Sequence, residues 1–402
     1  MVGSGGREHA LAWKIAQSPG LDELHAAPGN PGIARLGRCH PLRADDAEAL
    51  LDLCREADID LVVVGPEAPL VAGVADVLRA SGVAVFGPSA AAARIEGSKS
   101  FAKELMGAAG VPPAPELDEP EAPCVVKADG LAGGKGVFIC RNRTEADAAR
   151  GRARALGERV VVEELLDGEE VSLFAICDGA HAVALPPAQD FKRLDDGDRG
   201  PNTGGMGSYS PVPLLSGAEA DELVDAIHRP VLQELADRGA PFLGLLYAGL
   251  MLPDDGPRVL EFNCRFGDPE TQALLPRLSG DLLAALAAAA AGSLVDIELP
   301  AADDAAVTIV LASQGYPEAP ETGIEIRGVD EAEAAGALVF HAGTAVRGGA
   351  LVSAGGRVLN VTAVGSSVAE ARETAYRAVG RLEFPGALYR RDIAARAVDV
   401  HA

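Results

Sequence analysis

Strand-like and helix-like segments alternate through the first 90 residues, and this alternation constrains the fold more than any other feature of the chain. Apolar runs that suit strands lie at 24–27, 61–64 and 83–86, and helical patterns alternate with them at 8–17, 46–57 and 70–81. Strands joined by intervening helices pair in parallel, so the pattern predicts a doubly wound parallel sheet of the α/β class. Only Met1 and Val2 precede the first loop, so either the first strand is truncated or the start codon is misassigned.

A glycine-rich loop at residues 3–6 opens the first predicted helix. The free N–H groups and the positive end of the dipole at a helix N-terminus favour a phosphate group. The dinucleotide fingerprint would require its third glycine where Glu8 stands, so a nicotinamide cofactor has little support and a single phosphate suits the loop better. Glu67 follows the strand at 61–64, at the edge where doubly wound sheets bind ligands.

Residues 258–266 predict a strand with two chemically different faces. Side chains alternate between faces, so Glu261, Asn263 and Arg265 share one face, and the apolar residues Phe262, Cys264 and Phe266 share the other. Mg²⁺ takes oxygen ligands from one or two protein groups, and arginine suits a phosphoryl oxygen. A solvated polar face on an edge strand is the alternative. The acidic turn at 267–270 favours a metal and phosphate site over that alternative.

A second glycine-rich segment, 127–136, lies between two strand-like runs. It lacks the order of a Walker A loop, so it predicts a flap that folds over a nucleotide rather than a P-loop. A plain glycine hairpin is the alternative. Of the 35 Lys and Arg residues only six are lysines, and two of them, Lys127 and Lys135, fall in this segment. Such concentration favours a phosphate-binding role.

The composition bounds the class of protein. With 402 residues, 48% hydrophobic and 23% charged, the chain predicts a globular protein of two or three domains. The net charge of −24 disfavours nucleic acid and anionic membrane as partners. The six cysteines show no Cys-x-x-Cys pair and predict free thiols, so we expect a cytoplasmic protein.

Several further elements follow from the pattern. We expect one helix at 89–110, a long loop at 186–207, a helix at 270–291 and a C-terminal hairpin that turns at Gly355-Gly356.

The chain resembles the phosphoribosylamine–glycine ligase family of ATP-grasp enzymes. The resemblance rests on Arg265-Phe-Gly-Asp-Pro-Glu-Thr-Gln272 and on segments in family order at 3–11, 65–70, 127–136, 163–170, 200–207 and 341–344. It implies an N-terminal doubly wound parallel sheet, a central ATP-grasp domain and a small C-terminal α+β domain. The implied bounds are 1–98 for the sugar-phosphate-binding domain, 99–304 for the ATP-grasp domain with its flap at about 124–165, and 305–402 for the last domain.

The resemblance also implies roles for individual residues. ATP contacts are expected from Lys99, Lys127, Gly133, Gly134, Lys135, Glu163, Glu164, Leu166 and Glu170. Sugar-phosphate contacts are expected from Gly5, Gly6, Arg7, Glu8, His9, Gly29, Asn30 and Glu67, although capping and packing explain Glu8 and His9 equally well. Glu261 and Asn263 would bind the metal, and Asp190, Lys192 and Arg265 would be catalytic.

The activity that the resemblance implies is the ATP-dependent ligation of glycine to 5-phosphoribosylamine through glycyl phosphate, in purine biosynthesis. ATP and Mg²⁺ or Mn²⁺ are the expected cosubstrate and metal, and a monomer is the expected form. Related superfamily members carry a further acidic metal ligand on the preceding strand, which here has none at 245–252. Another purine-pathway ATP-grasp ligase or carboxylase, and a catalytically silent nucleotide-binding regulator, are the alternatives.

Overall fold

The computed structural model describes residues 1–131, 136–157 and 159–399. Residues 1–97 alternate short strands with helices. The strands are β1 (Val2–Gly3), β2 (His25–Pro28), β3 (Arg38–Cys39), β4 (Leu61–Val63) and β5 (Ala84–Phe86). The helices are α1 (Gly6–Ile15), α2 (Ala47–Glu56), α3 (Glu67–Val71), α4 (Val74–Ala80) and α5 (Ala90–Gly97).

These strands form a parallel sheet in the order β3-β2-β1-β4-β5, in which a bridge between Val2 and Val64 joins β1 to β4. Helix α1 packs on the face to which Val63 points, and α2 and α4 pack on the face of Val62. The predicted doubly wound sheet is therefore confirmed. The strand order reverses at β1, so the loops after β1 and β4 open on one crevice.

The prediction of a single helix at 89–110 is wrong, because the chain forms two helices that are separated at Ser98. Helix α6 (Lys99–Ala109) starts there, and the Ser98 hydroxyl accepts a hydrogen bond from the backbone N–H of Phe101 at 3.2 Å. Ser98 itself has extended backbone angles, which end α5 and cap α6. The break turns residues 96 and 99 towards the crevice.

A small antiparallel sheet follows, with strand order β7-β6-β8. Its elements are β6 (Cys124–Ala128), β7 (Val137–Cys140), α7 (Arg143–Leu156) and β8 (Val160–Glu164). Helix α7 buries three alanines, Ala146, Ala149 and Ala153, against the sheet, since only small side chains allow so close an approach. Ala132, Gly133, Gly134 and Lys135 of the predicted flap lie outside the described residues, as does Glu158.

The largest sheet in the described part of the chain has eight strands, in the order β15-β14-β9-β10-β13-β16-β20-β17. Up to residue 304 its elements and their neighbours are β9 (Glu169–Asp178), β10 (Ala182–Asp190), β11 (Arg193–Asp195), β12 (Arg199–Asn202), β13 (Gly207–Ser210), α8 (Gly217–Leu223), a π-helical turn (Val224–His228), α9 (Arg229–Asp237), β14 (Leu243–Leu252), β15 (Arg258–Asn263), α10 (Glu270–Leu274), a 3₁₀ turn (Leu275–Arg277) and α11 (Leu282–Ala290).

The remaining elements are β16 (Ala305–Ala312), α12 (Val329–Ala334), β17 (Leu338–His341), β18 (Thr344–Arg347), β19 (Ala350–Ser353), β20 (Arg357–Gly365), α13 (Val368–Val379) and α14 (Ala395–Asp399). Strand β13 pairs with β16, so one sheet continues across the domain boundary predicted at 304/305. Because of this pairing, side chains from the C-terminal part reach the crevice.

Three other expectations need correction. The segment 186–207 is not a loop, because β10 extends to Asp190 and pairs with β13, and β11 and β12 form a ribbon between them. The helix expected at 270–291 divides into α10, a 3₁₀ turn and α11. The C-terminal hairpin pairs β18 with β19 and turns at residues 348–349, whereas β20 pairs with β16 and β17. In the described part of the chain no helix combines the length and the hydrophobicity needed to span a membrane.

Candidate active site

Two adjoining cavities lie at the crevice. The first, of about 290 Å³, is called the arginine cavity because Arg7, Arg265 and Arg357 line it. The second, of about 400 Å³, is called the hinge cavity because it is lined by residues 164–166, the segment that connects β8 to β9. Four charged residues, Glu163, Asp190, Lys192 and Glu261, line both cavities.

Most of the predicted site residues line one cavity or the other. Glu67, Lys99 and Asn263 join Arg7 and Arg265 in the arginine cavity, and Lys127, Glu164, Leu166 and Glu170 line the hinge cavity. Gly5, Gly6, Glu8, His9, Gly29 and Asn30 line neither. Gly133, Gly134 and Lys135 lie outside the described residues.

Strand β15 carries Glu261 and Asn263 to the crevice. The predicted alternation is present, since Phe262, Cys264 and Phe266 are at most 2% exposed. The strand itself stops at Asn263, so the predicted extent to residue 266 is wrong. The backbone N–H of Cys264 donates to Glu96 Oε2 at 2.8 Å, a side-chain partner in place of a neighbouring strand.

Arg265 reaches the arginine cavity from the turn beyond β15. Its guanidinium group donates to Glu67 Oε2 at 3.2 Å and to Glu96 Oε1 at 2.9 Å. Burial opposes the charge of Glu67, but Arg265 and Arg7 lower its pKa to about 2. Burial raises the pKa of Glu96, against the opposing effect of Arg265. Arg265 is thus held between two carboxylates while it faces the cavity.

Two lysines share the carboxylate of Glu163, which lines both cavities. Lys127 Nζ lies 2.6 Å from Glu163 Oε2, and Lys103 Nζ lies 2.8 Å from Glu163 Oε1. Lys127 also donates to the carbonyl of Leu260, the residue before Glu261, at 2.9 Å. The side chain of Glu163 therefore fixes two cations in place.

Asp190 and Lys192 lie where the two cavities meet. Lys192 forms an ion pair with Glu170 and lies 3.9 Å from Asp190 Oδ1. Burial raises the pKa of Asp190, partly offset by Lys192, and the carboxylates of Glu270, Glu170 and Glu261 raise it further. Burial opposes the charge of Lys192, but Asp190 and Glu170 raise its pKa. We conclude that Lys192 is charged and that Asp190 holds a proton more tightly than an ordinary aspartate.

The pKa of Glu261 is shifted in the direction opposite to that of Asp190. Its burial would raise its pKa, but Lys192, Lys99, Lys127 and Arg265 together lower it. Glu261 is therefore an ionised carboxylate surrounded by cations. Among the described residues, no group of three or more His, Cys, Asp or Glu side chains is arranged to hold a metal ion without other ligands.

The base of the predicted flap is tied to the start of α6. Asp129 Oδ1 accepts the backbone N–H of Lys99 at 2.6 Å, and its Oδ2 accepts the hydroxyl of Ser100 at 2.5 Å. The Lys99 ammonium group lies 3.5 Å from the carbonyl of Gly130. Helix α6 therefore begins against the glycine segment, and the Lys99 side chain lies in the arginine cavity.

The segment after β8 has the features of a hinge. The backbone N–H of Glu164 donates to the carbonyl of Pro115 at 3.0 Å, which anchors the segment. The backbone groups of Leu166 make no hydrogen bond to any residue in the described part of the chain. They are available to a ligand in the hinge cavity.

The loop before α1 is tied to acidic side chains. Glu8 Oε2 accepts the backbone N–H of Gly5 at 2.5 Å, and Glu8 Oε1 accepts Nε of Arg7, also at 2.5 Å. The backbone N–H of Arg7 lies 3.4 Å from Asp268 Oδ2. The helix N-terminus is thus closed by two carboxylates. The geometry of Glu8 favours its alternative role as a cap.

His9, Gly29 and Asn30 pack behind the crevice. His9 Nδ1 accepts the backbone N–H of His341 at 2.8 Å, and its ring meets that of Phe340 edge-on. The side chain of Asn30 donates to the carbonyls of Ser4 and His341 and accepts the N–H groups of Gly32 and Ile33. Gly29, at φ +72°, donates its N–H to the carbonyl of Gly3 at 3.1 Å. These groups hold the glycine loop against β17.

Three family models match consecutive parts of the chain. The N domain of phosphoribosylglycinamide synthetase matches residues 1–96, its ATP-grasp (A) domain matches 97–271 and its C domain matches 306–396. The chain belongs to the phosphoribosylglycinamide synthetase family. Its match to the family therefore extends over nearly the whole length, in domain order.

Two bacterial relatives are similar to this chain over nearly their full lengths. The phosphoribosylamine–glycine ligase of Streptomyces coelicolor is 53% identical over 413 residues, and that of Mesorhizobium japonicum is 51% identical over 415 residues. Each match covers 99% of this chain and 98% of the relative. The trifunctional purine biosynthetic protein adenosine-3 of Gallus gallus is 48% identical, and the match covers 42% of its length.

The similar solved structures agree with this family assignment. Phosphoribosylamine–glycine ligase from Thermotoga maritima superposes with a TM-score of 0.84 at 36% identity, over 98% of this chain and 99% of that one. The biotin carboxylase domain of Hydrogenobacter thermophilus 2-oxoglutarate carboxylase has a TM-score of 0.70 at 16% identity, which shows a shared fold. The family, the fold class and the ATP-dependent ligase class predicted from the sequence are confirmed. The domain bounds and the roles of single residues stay predictions.

Several residues of the crevice were not predicted from the sequence. Arg357, at the start of β20, donates to the carbonyls of Gly204 and Asp268 at 2.5 and 2.7 Å. Glu96 and Lys103 lie in helices whose sequence pattern reads as ordinary surface. A single acid in the alanine-rich run 90–97 was the available signal for Glu96, and none marked Arg357.

Proposed function

We propose that the crevice joins glycine to 5-phosphoribosylamine at the expense of ATP and releases glycinamide ribonucleotide, ADP and phosphate. About 50% identity over the full chain to phosphoribosylamine–glycine ligases supports this reaction. The observation that carries the site is the ring of cations around Glu261. Lys99, Lys127, Lys192 and Arg265 all lower its pKa, in a chain with a net charge of −24. Such local positive charge suits polyphosphate.

ATP would occupy the hinge cavity. The free backbone groups of Leu166 suit the edge of the base, and the carboxylate of Glu170 suits the ribose hydroxyls. Lys127 lies deeper in the same cavity, where its ammonium group would meet the phosphates. Lys99 would reach them from the arginine cavity, and Lys135 is proposed to reach them from the flap. Lys103 and Glu163 hold Lys127 in position.

The residues at the end of β15 fit a divalent metal. Glu261 offers an ionised carboxylate and Asn263 an amide oxygen, and Asp190 and Glu270 add carboxyl groups close by. This donor set of hard oxygens with too few protein ligands for a closed site suits Mg²⁺ or Mn²⁺, which complete their coordination with phosphate and water. When bound, the metal would neutralise charge on the ATP phosphates.

The chemistry needs two steps. A carboxylate oxygen of glycine attacks the γ-phosphorus of ATP, so an O–P bond forms and ADP leaves. The amine of phosphoribosylamine then attacks the acyl carbon, a C–N bond forms, phosphate leaves and the amine loses a proton. Arg265 and Lys192 would stabilise the negative charge on the transferred group. Asp190, whose pKa is raised by burial, is proposed to exchange the proton.

The sugar phosphate would bind on the N-terminal side, between the loop after β1 and Glu67. Arg7 lines the arginine cavity and supplies the positive charge there. Six free cysteines support the cytoplasmic location predicted from the sequence. The crevice draws on all three parts of one chain, so a monomer suffices for this reaction.

The decisive experiment measures ADP release with glycine and freshly made phosphoribosylamine, each omitted in turn. We expect full turnover with both substrates and loss of turnover when either is absent. Bicarbonate in place of glycine tests the carboxylase alternative, which the biotin carboxylase fold raises. ADP release that depends on bicarbonate, or none under any condition, would refute the proposal.

A further inference from the structure

Glu96 contacts the segment that leaves β15. Its Oε2 accepts the backbone N–H of Cys264 at 2.8 Å, and its Oε1 accepts the guanidinium group of Arg265 at 2.9 Å. When the amide nitrogen of Asn263 faces Glu96, it donates to Oε1 at 3.1 Å. Glu96 belongs to α5, which packs in the N-terminal domain. Its carboxylate thus accepts hydrogen bonds from three consecutive residues of the central domain, Asn263, Cys264 and Arg265.

The geometry fixes the direction of the Asn263 amide. In this orientation the amide nitrogen also donates to the carbonyl of Phe262 at 3.3 Å. With the nitrogen bound on that side, the amide oxygen is the atom left to face the arginine cavity, which Asn263 lines. The side chain of Glu96 is 8% exposed, so water cannot readily replace it as acceptor.

We propose that Glu96 is a positioning residue that keeps the Asn263 amide oxygen turned towards the bound metal and holds Arg265 beside it. The inference rests on the proposed function, in which Asn263 is a metal ligand. The partners of metal ligands orient them, and removal of such a partner commonly costs 10- to 100-fold in metal affinity. In this proposal Glu96 acts through Asn263 and Arg265 and is not itself a metal ligand.

Glu67 is the matched comparison. It also accepts a hydrogen bond from Arg265, at 3.2 Å, but no hydrogen bond joins it to Asn263 in the described part of the chain. Loss of its charge should disturb Arg265 without turning the amide. Variants of Glu96 and Glu67 can therefore be compared. Both should weaken the support of Arg265, but only the change at Glu96 should alter the orientation of the Asn263 amide.

The experiment measures Mn²⁺ binding in the presence of ADP, by the electron paramagnetic resonance signal of free Mn²⁺. Thermal unfolding of each variant first establishes that it is folded. We expect Asn263→Ala and Glu96→Gln each to weaken Mn²⁺ binding about 10-fold or more, and Glu67→Gln to change it by less than about 2-fold. If Glu96→Gln does not fold, Glu96→Asp serves in its place, because its shorter carboxylate should not reach Asn263.

A double variant tests orientation against charge. In Glu96→Gln combined with Asn263→Asp, the new amide can donate to one carboxylate oxygen and leave the other facing the cavity, and the net charge of the pair is unchanged. We expect Mn²⁺ binding to recover to within about 3-fold of the starting protein. Wild-type binding in Glu96→Gln together with weak binding in Asn263→Ala would overturn the inference alone. Wild-type binding in Asn263→Ala would overturn the proposed metal site, and this inference with it.

Discussion

The two sides of the crevice use their polar residues differently. On the side formed by β10 and β15, Glu261, Asp190 and Lys192 face both cavities. On the side formed by α1, the side chains of Glu8 and Asn30 are occupied by hydrogen bonds within the protein. The comparison teaches that a motif residue can hold the framework of a site rather than its ligand.

The largest effect is expected at Glu261. Glu261→Gln removes a carboxylate whose charge the surrounding cations favour, so the proposed metal and the phosphates lose their common partner. We expect kcat to fall at least about 100-fold with little change in thermal stability. Steady-state kinetics at saturating Mg²⁺ measure this, with the exposed Glu318→Gln as control. A folded variant with near-normal turnover would remove Glu261 from the metal site and weaken the contrast between the two sides.

The next effect sharpens the assignment of the hinge cavity. Lys127→Ala removes a cation that lines it, while Lys103 stays paired with Glu163, so the buried carboxylate keeps a partner. We expect ATP affinity to fall about 10- to 100-fold and phosphoribosylamine affinity to change little. Calorimetric titration with a non-hydrolysable ATP analogue measures the first. Lys14→Ala, which loses only a hydrogen bond to the carbonyl of Leu278, is the control. Equal ATP affinity in both variants would contradict the assignment.

A smaller effect tests the other side. Gly5 has extended backbone angles, so valine is tolerated there, but an added Cβ would lie 2.7 Å from Glu8 Oε2. Gly5→Val should therefore displace the cap and raise the KM for phosphoribosylamine about 10-fold, with ATP affinity nearly fixed. Gly107→Ala, where a Cβ meets no atom within 4 Å, is the control. Lost ATP binding with intact sugar-phosphate affinity would reverse the assignment of the two sides.

The smallest effect concerns stability and pH. Burial, with smaller effects of His341 and Arg35, lowers the pKa of His9 to about 3. Between about pH 6.5 and pH 3 the unfolded chain therefore binds a proton that the folded chain does not, so the free energy of unfolding falls as the solution is acidified. The slope is about 1.4 kcal/mol per pH unit for one proton.

In His9→Asn the side-chain oxygen can still accept the backbone N–H of His341, but it does not titrate. We expect urea unfolding at pH 7 and pH 5 to show a smaller difference for the variant than for the starting protein, by up to about 2 kcal/mol. An unchanged difference would mean that His9 is not the group that makes this side of the crevice sensitive to acid.

The use of lysine shows how much the sequence could reveal about the site. Of the six lysines, Lys99, Lys103, Lys127 and Lys192 line the two cavities, and only Lys14 among the described lysines lies elsewhere. Rarity of a residue type in one chain was therefore informative without any alignment. It favoured a phosphate-binding role for Lys127 but could not assign partners to the lysines, because pairing depends on which helix packs against which strand.

The alternation of strands and helices in the first third determined the parallel sheet, because period and segment length suffice to choose between parallel and antiparallel pairing. The faces of β15 followed from its period of two, and the burial of Phe262 and Cys264 agrees. The sequence could not determine the position of Glu96 or Arg357. Glu96 lies 168 residues from Cys264, and Arg357 lies 153 residues from Gly204.

Such contacts arise only when the N-terminal sheet and the continuous eight-stranded sheet close on the same crevice. The cost of burying a carboxylate or a guanidinium group is offset by the partner that tertiary packing provides, and no local pattern records that partner. Local periodicity therefore determined the strands, the helices and the glycine turns. The charge of Glu261, the orientation of Asn263 and the hold on Arg265 were decided by packing between segments distant in the chain.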